Sequence, residues 1–347
     1  MQLATYTTYG RSAGSARVRV FDWLEHLQIH ATSSVYTDQS SNSVGRLMSR
    51  PSAVVKAEIQ LRLDARRPSH STALVSRQAS PFSNGSIEAK LLGGANHGVY
   101  DFDDALMHGT RSRFAKLWSK QRVWRSAVES ADVVIAGNPY LASYAEKHNR
   151  NVVVIPSCIQ PDQYVPKVDF DLRETPRAVW LGSPSTEGYL QSVSGALLDL
   201  HESRGLRLSI ISSGASPLGP LERMVDRREW SAGSFANDLA DADFGIMPTD
   251  DTEWSRGKCA YKLLQYGAAG LPMVGSPYGA NAEVLRMCEG VPARTSVDWR
   301  DAMHGLVDES PGQRARRATQ GLNAVREHFS FPAWAPTWRK AVGVETE

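Results

Sequence analysis

Short apolar runs alternate with helix-length segments along this chain, and that alternation limits the fold more than any other feature. ADVVIAG (131–137) and NVVVIPS (151–157) are continuous apolar runs, with NPYLASYAEKH between them. Buried runs joined by one helix specify adjacent parallel strands with a right-handed crossover. Asn138 and Pro139 supply the cap and first residue of that helix. Upstream, LATYTTY (3–9) reads as a first strand, followed by the turn GRSAGS and a helix from about Ala16 to Leu27. Downstream of the linker containing Pro156, Pro161 and Pro166 the pattern restarts with RAVWLG (177–182), LRLSII (206–211), DFGIMP (243–248) and PMVG (272–275). The expected class is α/β, with two doubly wound units. A length of 347 residues suffices for two such cores.

The remaining text excludes several functions and marks some side chains. Lys and Arg total 39 against 37 Asp and Glu, so no strongly basic face for nucleic acid is expected. No apolar run reaches membrane-spanning length, and MQLATYTTYGR is not a signal peptide, so the expected location is cytoplasmic. Cys158, Cys259 and Cys288 are scattered, which favours packed, reduced thiols over a disulfide or zinc site. SSVY and TALVSR read as strands, and 45–64 as a helix with Pro51 in its first turns. The segment 114–130 reads as an amphipathic helix with Trp118 and Trp124 facing the core. VYDFDDALMHG places Asp101, Asp103 and Asp104 at the carboxyl end of a strand, which is the crevice end of a parallel sheet. They are expected to meet substrate or to cap the following turn. His97 and His108 flank them, and Gly10, Gly14, Arg17 and Arg19 lie in the first turn and helix.

The richest stretch is Trp254 to Pro277. A helix is expected from about Gly257 to Ala269, ended by Gly270. On that helix Lys258, Lys262 and Gln265 share a face, and two cations at a helix N-terminus suit a diphosphate. The turn GSPSTEGY offers Ser183, Ser185 and Thr186 at another helix start, for an anion or sugar hydroxyls, or simply for capping. Asp250 and Asp251 end the strand FGIMP.

The 28-residue run GKCAYKLLQYGAAGLPMVGSPYGANAEV resembles the donor-binding segment of retaining, family-four-like nucleotide-sugar glycosyltransferases of the GT-B fold. Many members carry glutamates where this chain has Gly257 and Gln265. The resemblance implies two Rossmann-like doubly wound domains facing across a cleft. These would be an acceptor-side domain (1–165) and a donor domain (166–330), with a C-terminal helix (331–347) crossing back. It further implies transfer from a nucleotide-diphosphate sugar to a small-molecule or glycan acceptor, with retention and without a metal or other cofactor. Gln265 would hold the ribose. Asp250, Asp251 or the backbone at Gly257 would meet the donor sugar, together with Ser183, Ser185 and Thr186. Lys258 and Lys262 would stabilise the leaving diphosphate, with Asp104 as a further catalytic group, and Gly14, Arg17, His97 and Asp103 would lie on the acceptor side. Three alternatives share the architecture: a nucleotide-sugar epimerase, a pseudo-glycosyltransferase and a non-catalytic nucleotide-sugar-binding subunit.

Overall fold

The structure, a computed structural model, describes residues 2–37, 47, 49–66, 71–109, 119–231 and 233–344. The expected helical residues 45, 46, 48 and 114–118, including Trp118, lie outside the described residues. The chain divides into two units. The first comprises Met1–Cys158, Gly257–Cys259 and Trp334–Glu347, and the second comprises Ile159–Arg256 and Ala260–Ala333.

Unit 1 is built on a parallel six-stranded sheet of β1 (Leu3–Tyr9), β2 (Ala31–Thr37), β3 (Thr72–Ser76), β4 (His97–Phe102), β5 (Val133–Ala136) and β6 (Val152–Val154). The order is β2-β1-β3-β4-β5-β6, so the sheet reverses direction of growth between β1 and β3. Both faces of β1 are covered, which buries Thr5 and Thr7 as well as Leu3, Ala4 and Tyr6. The helical run over 14–26 contains a π-helical turn at Arg17–Phe21. Asn138 caps the helix Pro139–Ala145 as expected, its Oδ1 accepting from the Leu141 N–H at 2.9 Å. The C-terminal helix Phe331–Val342 contributes its residues from Trp334 onward to this unit, and Trp338 stacks on Trp23 at 5.3 Å.

Unit 2 carries a second parallel six-stranded sheet: β7 (Arg177–Leu181), β8 (Arg207–Ser212), β9 (Val225–Glu229), β10 (Phe244–Met247), β11 (Met273–Gly275) and β12 (Val291–Pro292). Its order, β12-β11-β10-β7-β8-β9, is the mononucleotide-binding one, with the switch point between β7 and β10. The edge strands β9 and β12 were not expected. VDRRE is half-exposed and charged, and its edge position removes the apolar signal of a central strand. PSTEGYLQSV forms a 3-10 helix, Pro184–Val193, before the α-helix Ser194–Arg204. Among the described residues, no helix is long and apolar enough to cross a membrane.

One expected helix is corrected. Instead of running from Gly257 to Ala269, the segment has a short helix Glu253–Arg256, an irregular stretch, and a helix Tyr261–Ala268. Ala260 stands before the second helix at φ 54°, in left-handed conformation, so the helix cannot extend backwards through it. Gly270, at φ 61°, does follow the helix end as expected.

Candidate functional site

In unit 2 the polar groups gather at the switch point. Helix Tyr261–Ala268 buries Leu263, Leu264 and Tyr266 against the sheet. The Tyr266 hydroxyl accepts from the Leu181 N–H (3.2 Å) and donates to the Ile246 carbonyl (3.0 Å), which ties the end of β7 to β10. Lys262 stands one turn earlier on the same helix, its Nζ 5.3 Å from the centroid of the buried Trp180 ring. Gly182 follows β7, and a Cβ there would lie 2.5 Å from Trp180 and 2.7 Å from Lys262 Cε. Only glycine lets the chain leave the strand beneath that lysine. The loop then presents Ser183, Ser185 and Thr186. Ser183 Oγ lies 2.9 Å from Ser185 Oγ, and Thr186 Oγ1 donates to the Ser183 carbonyl at 3.0 Å. No described side chain caps this turn, so capping by Ser185 or Thr186 is not observed.

Beyond β10, Asp250 Oδ1 accepts from Thr252 Oγ1 at 3.1 Å and from Ser255 Oγ. Asp251 instead pairs with Arg256 (2.8 and 3.1 Å) on the surface, and the Arg256 hydrogen bond holds its carboxyl below the usual range. Glu187, in the first turn of the 3-10 helix, is buried and accepts from Arg227 at 3.0 Å and from the Ser216 N–H at 2.9 Å. Gln265, expected at the ribose, is 6% exposed, and its Nε2 donates to the Tyr164 hydroxyl at 3.2 Å.

Unit 1 gathers charge at the carboxyl end of its sheet. Arg19, from the π-helical turn, is 1% exposed and binds Asp101 through two bonds of 3.0 and 2.6 Å, while its Nη1 donates to the Ile155 carbonyl. Burial pushes the Asp101 carboxyl up, and the bidentate guanidinium opposes that shift. Arg77, directly after β3, takes φ 61°. Its N–H donates to the Asp101 carbonyl and its carbonyl accepts from the Tyr100 hydroxyl, both at 2.8 Å, so neighbours impose the strained geometry. Arg77 Nη2 lies 2.6 Å from Asp104, and Lys258 Nζ reaches the other Asp104 oxygen at 2.8 Å. Burial alone would raise the Asp104 carboxyl, but Arg77 and Lys258 outweigh it and hold the group below its ordinary value. Asp103 accepts from Ser15 Oγ at both oxygens (2.8 and 2.7 Å). Asp103 and Asp104 do not cap the turn Leu106–His108, whose N-cap Ala105 has no side-chain cap.

Several expected placements are corrected. Lys258 and Lys262 do not share a helix face. Lys258 precedes the left-handed Ala260, in the stretch Gly257–Cys259 that folds with unit 1. Asn138 Nδ2 holds this stretch by donating to the Gly257 (3.2 Å) and Lys258 (3.0 Å) carbonyls, which engages the backbone expected to meet the donor sugar. A Cβ on Gly257 would meet Ala105 Cβ at 2.6 Å and its nitrogen at 2.8 Å, so the position tolerates no side chain. That packing leaves no room for a glutamate at this position. His97 does not join the acids, because it opens β4 at the opposite strand end, where its ring nitrogen lies 2.9 Å from the Ala341 carbonyl. Gly14 lies in open space, where a Cβ would meet no protein atom within 4 Å. Arg17 lies 3.8 Å from Asp22. Burial pushes all three thiols up to about 12, which keeps them protonated and inert. Sequence reasoning missed Arg77 and Ser15, although Arg77 ends the strand TALVSR beside the switch point.

No protein-family model and no curated protein matches the chain. Solved structures do. HepE of Anabaena, in complex with UDP and glucose, aligns with a TM-score of 0.70 at 13% identity, over 99% of this chain and 100% of HepE. WaaG, a glycosyltransferase involved in lipopolysaccharide biosynthesis, aligns with a TM-score of 0.68 at 11% identity, over 98% and 100%. TarM aligns with a TM-score of 0.56 at 12% identity, over 78% of this chain and 54% of TarM. Two parallel six-stranded sheets, matched along their whole length to HepE and WaaG, give this chain the GT-B fold.

Proposed function

We propose that this chain is a glycosyltransferase that binds a nucleoside-diphosphate sugar on unit 2, takes its acceptor on unit 1, and transfers the sugar with retention of configuration. The observation that carries this reading is the unit 2 switch point, where Lys262, Gly182 and the hydroxyls of Ser183, Ser185 and Thr186 come together. The full-length likeness to HepE, which was solved with UDP and glucose, supports it. As the glycosidic bond breaks, negative charge grows on the departing phosphate oxygen. The Lys262 ammonium strengthens its interaction with that oxygen as the charge develops, which is where rate enhancement arises. Asp250, exposed and held by Ser255 and Thr252, is assigned to donor-sugar hydroxyls.

On unit 1, Asp104 is a weak base because Arg77 and Lys258 stabilise its ionised form. It is therefore assigned to accepting a hydrogen bond from the acceptor, with Asp103 beside it. The acceptor proton then passes to the leaving phosphate, on the face from which it departs. Lys258 serves here by keeping Asp104 ionised. The reading assigns no metal, since Ser15, Arg77 and Lys258 already engage Asp103 and Asp104.

Calorimetry with UDP and other nucleoside diphosphates, followed by turnover of the matching nucleotide sugars with a chelator present, tests the proposal. The expected result is nucleotide binding that weakens in Lys262→Ala, and nucleotide release that depends on an added acceptor. Conversion of the donor sugar without acceptor would indicate an epimerase, and tight binding without turnover a binding subunit. Failure to bind any nucleoside diphosphate would overturn the reading.

A further inference from the structure

Unit 1 has a cavity of about 230 Å³ at the switch point of its own sheet. Its wall includes Thr7 and Tyr9 from β1, Ser76 at the end of β3, Arg77 and Gln78 just beyond, and Lys120. The carboxyl ends of β1 and β3 form such a wall only where strand order reverses.

Among the described residues, the charges near this cavity do not balance. Arg77, Lys258 and Lys120 face the two carboxylates Asp103 and Asp104, while Arg19 and Asp101 neutralise each other. Arg77 and Lys258 have carboxylate partners. Among the described residues, Lys120 Nζ has neither a hydrogen bond nor an ion pair. Burial, and then the nearby Arg77 charge, lower the affinity of Lys120 for its proton, with only Asp104 opposing. Lys120 also opens the eleven-residue helix Lys120–Ser130, whose N-terminal end adds partial positive charge. A second wall group is unsatisfied as well: Ser76 is 4% exposed and its buried Oγ has no hydrogen-bond partner. A buried hydroxyl and a half-buried ammonium left unpaired are both costly. A neutral polyol would satisfy the hydroxyl but leave the surplus charge.

We propose that this cavity binds an anionic group, a phosphate or carboxylate, through Lys120, with Ser76 as a hydroxyl partner of the same ligand. On the glycosyltransferase reading, on which only this step rests, the acceptor carries that group. The anion and Lys120 form a charge-assisted hydrogen bond, while Arg77 stays with its carboxylates.

Calorimetry with paired probes tests this on the full chain: glucose 6-phosphate or glucuronate against glucose, glycerol 3-phosphate against glycerol, and inorganic phosphate alone. At least one anionic probe should bind tenfold or more tightly than its neutral partner. The phosphate and carboxylate pairs show which group is preferred. Lys120→Gln should abolish the difference, Lys120→Arg should keep most of it, and Ser76→Ala should weaken the anionic probe severalfold. The melting temperature of each variant without ligand checks the fold. Equal binding of charged and neutral probes, binding of none, or a preference that survives Lys120→Gln overturns the proposal. Anion binding at Lys120 in a chain that turns over no nucleotide sugar would leave the cavity assignment standing and remove the glycosyltransferase reading.

Discussion

The two sheets use the same strand count and parallel sense but treat charge at their switch points differently. Beyond β1 and β3, unit 1 packs ion pairs within the protein: Arg19 with Asp101, and Arg77 and Lys258 with Asp104. Beyond β7 and β10, unit 2 presents a glycine turn, three hydroxyls and Lys262 over an indole ring. A site whose charges are matched internally is suited to neutral hydroxyls, apart from the surplus at Lys120. A site of hydroxyls and one ammonium at a helix start is suited to a ligand that brings its own negative charge. On the proposed function, this contrast assigns the acceptor to unit 1 and the donor to unit 2.

The strongest test of the contrast is Asp101→Ala. Arg19 is 1% exposed and would keep its charge without its carboxylate. Breaking a buried pair from one side costs roughly 3–5 kcal/mol, to be read from denaturant unfolding. A loss no greater than a surface substitution causes would mean that unit 1 is not organised by its ion pairs. Next comes Lys262→Ala, which is expected to lower turnover by about a hundredfold or more and to weaken diphosphates while sparing the bare nucleoside. Lys262→Arg should not restore it fully, since a planar fork replaces a compact ammonium. Near-normal turnover in Lys262→Ala would place the donor site elsewhere.

Gly257→Ala ranks third. Its Cβ would press on Ala105, and overpacking of this kind costs about 1–3 kcal/mol, measurable as a lower melting temperature. Gly257→Glu should be worse, because the longer side chain meets the same Ala105 contact. The smallest effect concerns pH. Asp104 is depressed in the folded chain, so its contribution to stability is present above the ordinary carboxylate range and is lost as pH falls through its folded value. Asp104→Asn should therefore be less stable at neutral pH and lose part of the acid-dependent slope. An unchanged slope would show that Asp104 is not held by Arg77 and Lys258.

The central strands were legible because each is a short apolar run buried on both faces, as in ADVVIAG, and NVVVIPS, an edge strand of half-buried valines, was legible from its apolar run alone. The edge strand β9 was not, because VDRRE has no buried face to write into its residues. The Asn138 cap was legible as local chemistry, yet its amide also binds the Gly257 and Lys258 carbonyls, over a hundred residues away. Arg77 shows the same limit: nothing in TALVSR announces a left-handed arginine paired with Asp104.

By itself the sequence determined the α/β class, the two repeated strand–helix patterns and a helix carrying Lys262 that ends at Gly270, because each is set by neighbours a few residues apart. The tertiary structure alone decided that Lys258 leaves that helix. Ala260 has a side chain that disfavours φ 54°, and no local signal predicts it. The conformation holds because Asn138 grips Gly257 and Lys258, Ala105 closes on Gly257, and Asp104 takes the Lys258 ammonium. Those contacts join residues far apart in the chain, so their combined energy overrides the local preference for one continuous helix.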